Sequence, residues 1–226
     1  MRKLLLAALA VAVTHPAAAQ NLNRVNVSAP QINCVFNTTC RVTVTDLATP
    51  YLGNGFLQSR TYQAAPGSPA AGKWVYEYRI DLRNVAGITA LPLVASLSMP
   101  VAAPIVAMDY NGDGNAGDQV FIVTGGGLGS VGPATAWLHG DTLHFSFNPA
   151  VAGGSAPGAG QSSYFFGFVT DSPPADVAAR IEANVAPGVF LAARAPAWMA
   201  SGAAVPIRSR VPVRPTQVRP PRPPRP

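Results

Sequence analysis

Between residues 109 and 118 the chain reads Asp-Tyr-Asn-Gly-Asp-Gly-Asn-Ala-Gly-Asp, which sets oxygen-bearing side chains at alternate positions around glycine. Calcium takes 6 to 8 oxygen ligands at roughly 2.3–2.6 Å, so a short loop must fold its own carboxylates and carbonyls around one point. Asp109, Asn111 and Asp113 fall at the first, third and fifth positions, Gly114 at the sixth and Asn115 at the seventh, where a backbone carbonyl would serve. Asp118, the last acid of the stretch, is the remaining candidate ligand. An ion held here is expected to be structural, not catalytic. Asn, Asp and Gly also favour turns that need no ion, so the spacing leaves both readings open.

The Asp109–Asp118 pattern resembles the calcium loops of EF-hands, of dockerins and of the Asp-x-Asn-x-Asp-Gly repeats of FG-GAP propellers. It departs from the EF-hand at the twelfth position, which is Val120 where that family places a bidentate Glu. The following Gln119-Val120-Phe121-Ile122-Val123-Thr124 is strand-like rather than helical, so the loop is expected to feed a β-strand.

A second group of chemistry-bearing residues follows from a hairpin. Ala134 to His139 and Thr142 to Phe147 flank Gly140-Asp141, a two-residue turn that fixes register. Leu138 then opposes Leu143 and Ala136 opposes Phe145 on the buried face. Trp137 opposes His144, and His139 opposes Thr142, on the other. Trp137, His139 and His144 thus share one outer patch. It is suited to a flat sugar platform or to a diagonal histidine pair around a metal, although solvated histidines beside a half-buried Trp are the commoner outcome. No Cys or acid adjoins them in sequence to complete a metal shell.

Catalytic signatures are missing. Ser130 follows Leu128, and Ser155 precedes Pro157, each by two positions, so neither sits in the Gly-x-Ser-x-Gly elbow of serine hydrolases. Gly127-Leu128-Gly129-Ser130-Val131-Gly132 spells a dinucleotide fingerprint, but Pro133 and the hairpin leave no helix to receive a pyrophosphate. Glu77 and Asp81 share the polar face of one strand with Cα atoms roughly 13 Å apart. That exceeds the roughly 5–9.5 Å carboxyl separations of glycoside hydrolysis. Interleaved with Arg79 and Arg83, they are expected to form a charge-paired, solvated face.

These groups need a scaffold, and period-two alternation supplies it. Trp74, Tyr76, Tyr78, Ile80 and Leu82 share one face of a strand. Similar runs occur at 41–47, 56–62, 120–124, 163–170 and 189–194, separated by turn-rich stretches such as 64–72 and 152–160. Residues 176–185 fit a helix through Val177, Ile181 and Val185, or a strand. The strand is preferred, joined through a Pro187-Gly188 turn to 189–194. The sum is an all-β chain, an antiparallel β-sandwich of about eight to ten strands. Residues 118–132 and 160–174, with Gln161-Ser162-Ser163-Tyr164-Phe165-Phe166-Gly167-Phe168, resemble segments of uncharacterised exported bacterial β-sandwich proteins. The resemblance implies fold and carries no catalytic residue.

Export is written at the start. Met1-Arg2-Lys3, the apolar run Leu4 to Val13 and Ala17-Ala18-Ala19 make up a signal peptide over 1–19. No later stretch reaches the roughly 18 apolar residues of a membrane-spanning helix. The two cysteines, Cys34 and Cys40, are expected to pair in an oxidising compartment, periplasmic or extracellular. Closing so short a loop contributes on the order of 2 kcal/mol. An Ala-, Gly-, Pro- and Arg-rich composition suits a bacterial source.

Charge separates the domain from its tail. Residues 20–205, the expected sandwich domain, hold eight basic and ten acidic side chains, a net charge of −2. Residues 206–226 carry six arginines among prolines, so they are expected to be an extended, disordered cationic segment. Such a tail could attract anionic envelope polymers in a salt-dependent way. With no aromatic residue for base stacking, it offers no specific nucleic-acid recognition. The expected function is a non-enzymatic binding or structural module of the envelope or extracellular space, stiffened by calcium at the Asp109 loop. The alternatives are a secreted polysaccharide hydrolase with carboxylates from separate strands, and envelope attachment through the tail.

Overall fold

A computed structural model describes residues 18–29, 34–47, 52–87, 92–183 and 186–196. Of the expected signal peptide over 1–19, residues 1–17 lie outside the described residues, as do the expected tail at 206–226 and 197–205 at the end of the expected domain.

Among the described residues there are twelve strands and no helix: β1 (Gln20–Asn21), β2 (Arg24–Ser28), β3 (Arg41–Leu47), β4 (Gly55–Gln63), β5 (Trp74–Asp81), β6 (Pro92–Pro100), β7 (Val120–Gly125), β8 (Pro133–His139), β9 (Thr142–Ala152), β10 (Phe165–Thr170), β11 (Pro174–Ala183) and β12 (Ala186–Pro196). They form two six-stranded sheets packed as a β-sandwich. The first has the order β1-β8-β9-β6-β11-β12 and the second β2-β7-β10-β5-β4-β3. Pairing is antiparallel except between β2 and β7.

Alternation explains the inner core. Every second residue of each strand points between the sheets, bringing Leu97, Met99, Leu143, Phe145 and Ile181 of the first sheet against Leu57, Tyr76, Tyr78, Ile80, Phe166 and Phe168 of the second. Phe166 is the hub. Its ring meets Phe145 edge-on at 4.7 Å and Phe147 at 5.6 Å, a geometry that adds roughly 0.5–1.5 kcal/mol per pair beyond burial.

Two expectations need correction. Pro187-Gly188 is not a turn: both residues lie inside β12, and the pairing Ala183↔Ala186 puts the connection at 184–185, outside the described residues. β12 is the last strand of its sheet, where proline's missing N–H costs no ladder bond on the open side. The polar face of β5 is not solvated: Glu77, Arg79 and Asp81 are 0%, 3% and 2% exposed. A second apolar layer covers them, built from Val75, Phe121, Val123, Phe165 and Val169 of the sheet with Cys34, Phe36, Ala64, Ala70 and Tyr110 from three loops.

Gly167 makes that layer fit. It pairs with Glu77 on one side and Phe121 on the other. A Cβ there would lie 1.9 Å from the Tyr76 carbonyl oxygen and 2.8 Å from the Phe121 ring, so only glycine is admitted.

Candidate functional site

The β8–β9 hairpin has the register the sequence implies, with Trp137 opposite His144, His139 opposite Thr142 and Ala136 opposite Phe145. Trp137 and His144 are half-buried, and their rings stack at 4.9 Å with planes 7° apart. His139 is exposed beside them. Burial first, then the neighbouring His139, holds the His144 imidazole below its ordinary value, with Glu182 opposing. The shift favours the neutral imidazole of His144 over the cation.

The sheet carries this pair into a longer row that sequence reasoning does not reach. Strand pairing lines up Asn21, Trp137, His144, Ser98 and Arg180 across β1, β8, β9, β6 and β11. A neighbouring row is Thr135, Ser146, Ser96 and Glu182, with the Thr135 and Ser146 hydroxyls 2.6 Å apart. Beside His144 the face sinks into a groove of about 260 Å3 lined by Ser98, Pro100, Thr142, His144, Ala178 and Arg180. The Arg180 guanidinium is bonded to Glu182 at 3.0 Å, and both side chains are about half exposed. Only knowledge of which strands are neighbours brings β6 and β11 beside the hairpin.

The Asp109–Asp118 loop closes on itself. Met108 and Asp118 exchange backbone hydrogen bonds of 2.8 and 2.9 Å at its base. The Asp109 carboxylate accepts N–H bonds from Gly112, Asp113 and Gly114 at 2.8–3.0 Å, and Gly112 and Gly114 take the left-handed conformation that the tight path demands. Asn111 donates its amide to Asp113 at 2.8 Å, while Asp113 and Asn115 accept N–H bonds two residues ahead. The Asn111 and Asn115 bonds hold the Asp113 carboxyl below its usual range.

Asp118 stands apart from these exposed residues. It is buried, accepts the Tyr110 N–H at 3.2 Å and the Asn23 amide at 3.4 Å, and burial raises its carboxyl. Asp118 thus clamps the loop to the sandwich, while Asn111, Asp113 and Asn115 are exposed and Asp109 is half-buried. Among the described residues no three His, Cys, Asp or Glu side chains gather around one point.

Cys34 and Cys40 are joined by a disulfide, a bond that persists in oxidising compartments. Their loop delivers Val35 and Phe36 onto the second sheet. Val35 donates its N–H to the Glu77 carboxylate at 3.0 Å, and Phe36 donates to the Tyr62 hydroxyl, which itself bonds Glu77. Burial pushes the Glu77 carboxyl up, against the opposing hydrogen bonds of Tyr62 and Val35 and the charge of Arg60. Asp81 differs. Burial alone would raise it, but hydrogen bonds from Arg83 and the Arg79 charge outweigh that and keep it below the ordinary range. Glu77 is thus held among Tyr62 and Val35 beneath the second apolar layer, while Asp81 is buried between Arg79 and the half-exposed Arg83.

Comparison of the chain with protein families, with curated proteins and with solved structures finds no match.

Proposed function

We propose that this protein is an exported, non-catalytic β-sandwich that binds an extracellular or envelope glycan through the outer face of its first sheet. The observation that carries this reading is the parallel Trp137–His144 stack bordering an open groove in a hydroxyl-rich face. Stacked rings give a sugar's C–H face something flat and apolar to lie on. Ser and Thr hydroxyls both donate and accept, as the sugar's own hydroxyls do. The disulfide supports the exported setting. Calcium enters the proposal only as a structural ligand of the Asp109 loop, taken by Asp109, Asn111, Asp113 and the Asn115 carbonyl.

Glycan-array binding of the wild type and of Trp137→Ala tests the reading. The wild type is expected to retain one or more glycans and Trp137→Ala to weaken them at least tenfold, with both proteins folded by circular dichroism. Equal binding by the two would remove Trp137 from the site and the proposal with it.

A further inference from the structure

The first sheet's outer face is long in one direction. Three strand spacings of roughly 4.8 Å separate Trp137 on β8 from Arg180 on β11, a track of about 14 Å running across the strands. That length exceeds a single sugar ring and suits a short run of linked sugars. The groove within it, at about 260 Å3, falls below the roughly 300–1,000 Å3 of pockets that enclose a small ligand. A monosaccharide would be poorly covered there, whereas a polymer lying along the track adds contacts on both sides of the groove.

The track's chemistry selects the class of polymer. At one end His144 rests on Trp137, so its other side is turned to the groove. The floor is Ser98, flanked by Thr142. At the far wall the Arg180 charge is cancelled by Glu182 at 3.0 Å, which leaves the remaining guanidinium N–H groups as donors without a net charge to attract an anion. Burial and His139 favour the neutral imidazole of His144 over the cation.

We infer that the face binds a neutral polysaccharide chain laid across the strands, with one sugar on the Trp137–His144 pair and the next in the groove against Ser98 and Arg180. This rests on the glycan-binding reading above and extends it to a ligand class and a direction. A charged polymer has a different place to act, the arginine-rich residues 206–226, where attraction falls with salt. Salt therefore separates the two.

The test is a pull-down of the full chain on insoluble cellulose, xylan, mannan and chitin as neutral polymers, and on immobilised alginate as an acidic one, at low salt and at high salt. It is run with Trp137→Ala, Arg180→Ala and the groove-filling Ala178→Trp. Positions 178 and 180 are exposed, so these variants are expected to melt with the wild type, and melting curves check it. The expected result is salt-independent retention on at least one neutral polymer, lost at least tenfold in Trp137→Ala and at least fivefold in Arg180→Ala and Ala178→Trp.

If the last two variants bind like the wild type while Trp137→Ala does not, the glycan-binding reading stands and the cross-strand track is overturned. Retention only on acidic polymers overturns the neutral ligand. Retention on none, neutral or acidic, overturns both readings.

Discussion

Glu77, Arg79 and Asp81 on β5 point away from the inner core just as Trp137 and His144 do on β8 and β9, yet the two outer faces end in opposite states. The second sheet's face is roofed by the disulfide loop, the 64–73 loop and the segment before β7, and its charges are sealed beneath an aromatic layer. Phe36 stacks on Tyr110 at 5.7 Å and meets Phe121 edge-on at 5.4 Å, tying two of those loops to the strands. The first sheet's face has no such roof among the described residues: its serines, threonines, Trp137 and His139 reach the surface. One face is covered and adds to the packed core, and the other is open. A sandwich with two solvated faces would have no need of a fully buried Glu77, and one with two roofed faces would leave Trp137 and His144 nothing to meet.

The largest effect that checks this contrast is at Phe121, which is fully buried under the roof. Phe121→Ala should cost about 3–5 kcal/mol, the range for removing a large aromatic from a packed core. Ser98→Ala on the open face should stay within about 0.5 kcal/mol. Urea unfolding of the two variants measures both. A Phe121→Ala cost near that of Ser98→Ala would mean that the roof is a loose cover and the two faces are alike.

The contrast also marks what could be read from the sequence. The pairing at the β8–β9 turn was legible because a two-residue turn leaves one register, and the inward row of β5 was legible because alternation has a fixed period, while β7 and β10 were legible as strands. The roof was not. It depends on Cys34–Cys40 and Tyr110 arriving over β5, β7 and β10 from distant parts of the chain, and alternation reads only which residues face outward, not what then covers them. Arg79 and Asp81 looked like a solvated pair for that reason. β1, β2 and β6 went unread because the first two are short and β6 begins and ends in proline. On the open face, Trp137 and His144 came from one hairpin, but Ser98 and Arg180 needed the strand order β9-β6-β11, which no local pattern encodes.

A smaller effect tests whether Glu77 is truly sealed. Its folded-state value lies above the ordinary one, so as pH rises past about 4.3 the unfolded chain releases this proton before the folded chain does. Wild-type stability should therefore lose ground as pH climbs through that window. Glu77→Gln has no proton to lose and keeps an oxygen for the Val35 N–H and the Tyr62 hydroxyl. Stability relative to wild type should then shift in favour of Glu77→Gln between about pH 4 and pH 7, as measured by urea unfolding across that range. A difference that does not change with pH would mean that water reaches the carboxylate.

The least disruptive probe is the Asp109 loop, which joins the roof to the solvent: Tyr110 is packed into the roof while Asp109, Asn111 and Asp113 are not buried. Its own N–H groups bond the Asp109 carboxylate and Asp118 is bonded to Tyr110 and Asn23, so an ion held by Asp109, Asn111 and Asp113 would have to displace the Asn111–Asp113 hydrogen bond. That displacement argues for weak binding, in the roughly 10⁻⁴–10⁻³ M range of extracellular calcium modules. Calcium at about ten times its dissociation constant would then add on the order of 1.4 kcal/mol, a rise in melting midpoint of roughly 3–5 °C. Asp113→Ala should abolish that rise while leaving the chelated protein's midpoint almost unchanged, because Asp113 is exposed and bonded only within the loop. Identical melting of the wild type with calcium and with chelator would reduce the stretch to a self-capped turn whose only task is to hand Tyr110 to the roof.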